Sequence, residues 1–188
     1  MYDLEELDGK LVKTLKPNRY RHTHGVMYMA GALAMAHLEN INDCMTAGLL
    51  HDCGKFGSFE DQIAMCKKIG LKLSKEDLEI PALIHTKLGA ALAKAEYGIE
   101  DKNILNGIRY HTTGRPHMSK LEKVIYIADF IEPWRGEGEW VKTVRDLAFK
   151  DLNKAVGTCA QLILEYLDKE NSNIDNMSKL TAEFYGGR

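Results

Sequence analysis

The chain has 188 residues, of which 45% are hydrophobic and 28% charged, with a formal charge of −2 at pH 7. That composition is ordinary for a globular protein, gives enough chain for one domain with its own core, and excludes wholesale disorder. The near-neutral balance argues against a protein that coats DNA or RNA, yet leaves room for a locally positive site that takes a small anion.

Almost every segment reads at helical period. Leu4, Leu7, Leu11 and Leu15 recur at threes and fours, and Pro17-Asn18 closes that first helix. From Tyr20 to Leu38 small and apolar residues mix, which predicts a long helix buried on more than one side. Asn42 is a candidate cap for a helix running through Met45, Leu49 and Leu50 and stopping at Gly54. Three pairs have capping-box spacing: Ser58 with Asp61, Ser74 with Asp77, and Ser119 with Glu122. The first two use Asp where Glu or Gln is preferred. They predict helices over 59–69, 75–80 and 120–131. Further periodic runs span His85 to Tyr97, Lys102 to Tyr110, Val141 to Phe149 and Leu152 to Leu167. No alternating strand pattern, repeat or long linker interrupts them. The expectation is a compact all-α fold.

Four cysteines, Cys44, Cys53, Cys66 and Cys159, form no C-x-x-C pair. The acidic start, Met1 to Glu6, has neither the basic nor the apolar region of a secretory leader. No run approaches the roughly 18 apolar residues of a membrane span. These features lead to the expectation of a reduced, cytoplasmic setting, with no membrane and no nucleic acid as partner.

The chemistry lies in histidines and aspartates. His51-Asp52 stands at the end of apolar helical text, followed by Gly54, where backbone can approach a ligand, and Lys55, which supplies a positive charge. An isolated H-D pair most often only caps a helix. The others shift the balance. His22 opens a buried-looking helix, and His85 and His111 sit in apolar helical text. Asp129 lies within Val124-Ile125-Tyr126-Ile127-Ala128-Asp129-Phe130-Ile131, where an ionised side chain is costly unless paired or bound to a cation. Each has a structural explanation singly. Together, in one small helical domain, they point to a site.

In this order on a helical chain, His22, His51-Asp52 and Asp129 resemble the HD-domain metal-dependent phosphohydrolases. The wording is closest to the YqeK-like branch, the symmetrical bis(5′-nucleosyl)-tetraphosphatases. The resemblance spans about residues 17–155. Its discriminating parts are His111-Thr112-Thr113-Gly114-Arg115-Pro116 and Ala128-Asp129-Phe130-Ile131-Glu132-Pro133-Trp134-Arg135. It implies a single HD-type helical bundle over 1–188, with its core at about 17–155 and a C-terminal helix and tail at 151–188. It implies iron, or Mn, Co, Ni or Zn in its place, held by His22, His51, Asp52 and Asp129. It places Arg19, His22, Asp52, Gly54, Lys55, His85, His111, Thr112, Asp129 and Arg135 around the nucleotide. The chemical step is expected to involve Asp52, Lys55, His85 and His111. The family's C-terminal segment closes over the nucleotide. Asn171 to Met177 matches that pattern poorly, which leaves nucleoside contacts there open.

The donor types support the same chemistry independently. Two imidazoles and two carboxylates suit a transition ion better than Ca2+, and four ligands leave two places free on a six-coordinate ion. Such an ion activates water and polarises a phosphoryl oxygen. Lys55 and Arg135 would offset phosphate charge. His85 and His111 could hydrogen-bond phosphate, protonate the leaving group or ligate a second ion. The implied reaction is hydrolysis of diadenosine tetraphosphate at its central anhydride to two ADP. The alternatives are an HD-type nucleotidase acting on mononucleotides and a non-catalytic nucleotide-binding regulatory module. The partners expected are the dinucleotide and its ADP product, and a homodimer is left open.

Other candidates read as structural. His24 is about 200° round the helix from His22 and cannot share its ion. His37 and His117 are expected at helix ends or in loops. Met27, Met29, Met35 and Met45 read as core filler, and Trp134 and Trp140 as core or as a rim on which a base could stack.

Overall fold

A computed structural model describes residues 1–186, and positions 187 and 188 of the expected tail lie outside it. The described residues contain eleven α-helices and no strand. They are α1 (Leu4–Leu11), α2 (Pro17–Ala36), α3 (Ile41–Leu50), α4 (Phe59–Lys68), α5 (Lys75–Glu79), α6 (Ile84–Ala95), α7 (Lys102–Tyr110), α8 (Lys120–Ile131), α9 (Glu139–Ala148), α10 (Leu152–Lys169) and α11 (Asn176–Gly186). Short 3-10 turns at Pro81–Leu83 and Pro133–Arg135 lead into α6 and out of α8.

Local signals account for most of the boundaries. All three capping boxes form, with Ser58, Ser74 and Ser119 each accepting from the N3 amide while Asp61, Asp77 and Glu122 accept from the cap amide. Aspartate therefore closes the box here as glutamate does. The first helix stops at Leu11, short of Leu15, and Pro17 does not end it. That proline occupies the first turn of α2, where its missing N–H is no loss. Asn40, not Asn42, caps α3 through the Asp43 amide. Asn42 is inside α3 and pairs its amide with the backbone of Tyr2, fastening the N-terminus to the bundle.

One apolar cluster runs from Leu7 of α1 to Tyr185 of α11. Helices α2, α3, α7 and α8 form its centre, and the short 37–40 loop folds α3 back along α2. Met27 is buried and Met29 and Met45 pack on this cluster, but Met35 is exposed. Trp134 and Trp140 are exposed as well, so neither is core. Helix α11 lies outside the sequence expectation. It docks Thr181, Ala182 and Tyr185 onto α10 and the loop after α7.

Candidate metal centre and phosphate site

Five helix ends bring the chemistry to one end of the bundle. His22 lies in the second turn of α2, and His51 caps the C-terminus of α3, with Asp52 next to it. His85 is the second residue of α6, His111 caps α7, and Asp129 lies near the end of α8. The helices set the imidazoles by a repeated device. His51 Nδ1 donates to the Gly48 carbonyl at 2.7 Å and His111 Nδ1 to the Ile108 carbonyl at 2.8 Å, each within its own last turn. His22 Nδ1 donates to Glu132 Oε1 at 2.9 Å. In each ring this leaves Nε2 with its lone pair free to accept.

Those lone pairs point at carboxylates. His22 Nε2 is 3.0 Å from Asp129 Oδ1, and His51 Nε2 is 3.4 Å from Asp52 Oδ2. The ligand atoms of His22, His51 and Asp129 all lie within 4.8 Å of one another. His22 Nε2, His51 Nε2 and Asp52 Oδ1 are buried with no hydrogen-bond partner. Acceptors facing acceptors in a buried pocket repel, and a cation among them removes the repulsion. The residues therefore fit a divalent transition ion with a mixed N/O donor set.

The charge states suit that role. Burial pushes the His51 imidazolium pKa down, which keeps the ring neutral, against the opposing pull of Asp52. Burial alone would raise Asp52, but His51, His111 and His85, when they carry a proton, outweigh it and hold the carboxyl well below its usual range. Burial would also raise Asp129, and His22, His51, Arg135 and His111 hold it well below.

A second cluster adjoins the first through Asp52. Its Oδ1 is 3.3 Å from His85 Nε2 and 3.5 Å from His111 Nε2, and the two Nε2 atoms are 3.2 Å apart. Thr112 Oγ1 lies 3.5 Å from His85 Nε2. Burial pushes His85 down to about 3. The half-exposed Lys55 ammonium is 3.9 Å from Asp52 Oδ1. Arg19 donates to Asp52 Oδ2 at 2.7 Å and Arg135 to Asp129 Oδ1 at 2.6 Å. The sequence-expected residues thus converge. Gly54 is buried, and a Cβ there would stand 2.4 Å from the His85 carbonyl oxygen and 2.6 Å from the Gly89 amide. The backbone of α6 approaches it closely, and the contact sets His85 beside Asp52.

A cavity of about 650 Å³ opens from this cluster. His111, Thr112, Asp129 and Arg135 line its mouth, while Phe130, Ile163 and Tyr166 supply apolar wall. Ser172, Asn173 and Asp175 of the poorly matching C-terminal stretch line it too. Glu132 also escaped the sequence reading. The signal was present, since an acid directly after apolar Ile131 carries the burial argument that singled out Asp129.

The sequence matches the HD domain family over residues 19–134, well over half of the chain. The chain belongs to the HD-domain family. A symmetrical bis(5′-nucleosyl)-tetraphosphatase of Halalkalibacterium halodurans is 40% identical over 172 residues, 88% of this chain and 90% of that protein. One of Bacillus subtilis is 39% identical, with 90% of each covered. A crystal structure from Clostridium acetobutylicum, described as an HD superfamily hydrolase involved in NAD metabolism, superposes with a TM-score of 0.92 at 36% identity. It covers 100% of this chain and 99% of its own. Membership of the HD-domain family implies a divalent metal, and the His and Asp cluster can hold one.

Proposed function

We propose that this HD-domain protein, read as one domain over its whole length, hydrolyses diadenosine tetraphosphate at the central anhydride, with one water consumed and two ADP released. The observation that carries the reading is the set of unpartnered buried ligand atoms, His22 Nε2, His51 Nε2 and Asp52 Oδ1, set beside Asp129 and His111, which line a cavity large enough for a nucleoside. The symmetrical cut is supported by the names of relatives that match nearly end to end.

His22, His51, Asp52 and Asp129 would hold the ion. Iron is the identity we favour, with Mn, Co, Ni or Zn as the other metals the donor set accepts. When bound, it would polarise a phosphoryl oxygen and acidify a water. The chain's own groups do the rest. Arg19, Arg135 and Lys55 ring the carboxylates with positive charge, and each can turn to a phosphate oxygen. The 3.2 Å contact brings the Nε2 atoms of His85 and His111 together beside Asp52 Oδ1. That pair can hydrogen-bond a phosphate oxygen of the substrate. Thr112 supplies a hydroxyl beside it. The apolar wall of Phe130, Ile163 and Tyr166 takes the nucleoside, with Asn173 and Ser172 at its polar edge.

Chromatography of the products tests the reading. Diadenosine tetraphosphate should yield ADP alone. ATP plus AMP would reject the symmetrical cut, and orthophosphate from AMP with the bridged substrate untouched would establish a nucleotidase instead.

A further inference from the structure

Glu132 is buried to 1% exposure, and nothing in the reaction just described uses it. Its carboxylate accepts two hydrogen bonds. Oε1 takes the His22 Nδ1 proton at 2.9 Å, and Oε2 takes the Trp134 amide proton at 2.7 Å. Asp129, one turn earlier on α8, stands 3.0 Å from Nε2 of the same imidazole. One α2 histidine thus faces a carboxylate at each nitrogen, Asp129 of α8 and Glu132 at the cap of that helix. Helix α2 is shaped to admit the second of these. At Gly25, one turn past His22, a Cβ would stand 2.3 Å from Glu132 Oε2 and 3.1 Å from its Cδ. The missing side chain is the space that the carboxylate fills.

We propose that Glu132 is a positioning residue for the metal centre. It holds the proton of His22 on Nδ1, so that the Nε2 lone pair and the ring plane are fixed toward the cation before the cation arrives. A carboxylate behind an imidazole also makes the far nitrogen a stronger donor. Without it the ring is free to take the other tautomer, which presents N–H to the metal. The inference rests on His22 as a ligand and not on the identity of the substrate.

Titration of the metal-free protein with Mn2+, followed by the EPR signal of the free ion, tests it. Glu132→Gln and Gly25→Ala approach the same carboxylate from its two sides, and His22→Gln deletes the ligand. Each of the first two should weaken Mn2+ binding about 10- to 100-fold, the usual range for loss of an outer partner. Far-UV circular dichroism and the melting midpoint of the metal-free protein report whether each variant folds. Gly25→Ala leaves the acid itself in place and serves if Glu132→Gln does not fold. A residue that only caps the 133–135 turn would lower the metal-free midpoint and leave the Mn2+ affinity within twofold of wild type. That result overturns the inference while the ligand set stands. Equal Mn2+ binding by wild type and His22→Gln would remove the ligand reading itself, and the inference with it.

Discussion

Asp52 turns its two oxygens to different tasks. Oδ2 faces His51 and the Arg19 guanidinium, and Oδ1 faces His85, His111 and Lys55. A single carboxylate thereby joins the cluster of His22, His51 and Asp129 to that of His85, His111 and Lys55. Asp129 would be the other anionic ligand, and Asp129→Ala should lose bound metal and activity together, read by metal analysis of the purified protein beside the ADP assay. Full metal content in that variant would remove Asp129 from the ligand set. Arg135 reaches the same carboxylate from the cavity side. Arg135→Ala should keep its metal and bind ADP about tenfold or more weakly, the scale of a lost charged hydrogen bond, measured by calorimetry.

At the scale of elements, helix caps carry much of the local order, and some residues of the discriminating motifs serve them. Arg115, inside the H-T-T-G-R-P run, makes a two-pronged bond at 2.8 Å and 2.8 Å to Glu122, the buried acid of the α8 capping box. It braces α8, which carries Asp129. Arg115→Ala leaves Glu122 buried and partly unpaired, and should cost about 2 kcal/mol in urea unfolding. Asp77 closes the α5 box and pairs with Lys87 of α6. Burial alone would raise its pKa, but Lys87 and the Ser74 amide and hydroxyl outweigh burial and bring it below 3.8. Its folded pKa is therefore lower than its unfolded one. The stability it adds is complete above the usual carboxylate range and disappears as the pH falls through the depressed value. Asp77→Asn should accordingly be less stable than wild type at pH 7, with the gap closing in acid, as melts across pH 7 to 2 would record. Caps and periodic faces are short-range signals, which is why α4, α5, α7 and α8 follow the sequence expectation within one residue. Asn42 misled because two asparagines stand two positions apart, and only the path of the chain decides which one caps.

Across the whole molecule, α11 locks the site's outer wall. Its Tyr185 hydroxyl accepts the Met118 amide proton at 2.9 Å, and Thr181 packs on Gly114, both in the loop that follows His111. It can lie that close because α10 has glycine at 157, where a Cβ would come within 2.4 Å of the Tyr185 carbonyl oxygen. Gly157→Val should displace α11, lower stability by about 1–3 kcal/mol on thermal unfolding, and weaken ADP binding while leaving metal content intact. Wild-type ADP affinity in that variant would separate α11 from the nucleotide site. No helix among the described residues is long and apolar enough to cross a membrane.

The sequence alone determined the helical class, most helix boundaries, and which histidines and aspartates the fold gathers at one end of the bundle. Periodicity and capping act within a few positions, and charged or polar groups in apolar text declare themselves by their cost. Tertiary structure alone decided the rest. It placed Glu132 behind His22, closed α6 onto Gly54, and built α11 into the cavity wall. Each of these depends on contacts between groups distant along the chain, for which no local pattern exists, and on backbone approaches that only packing sets.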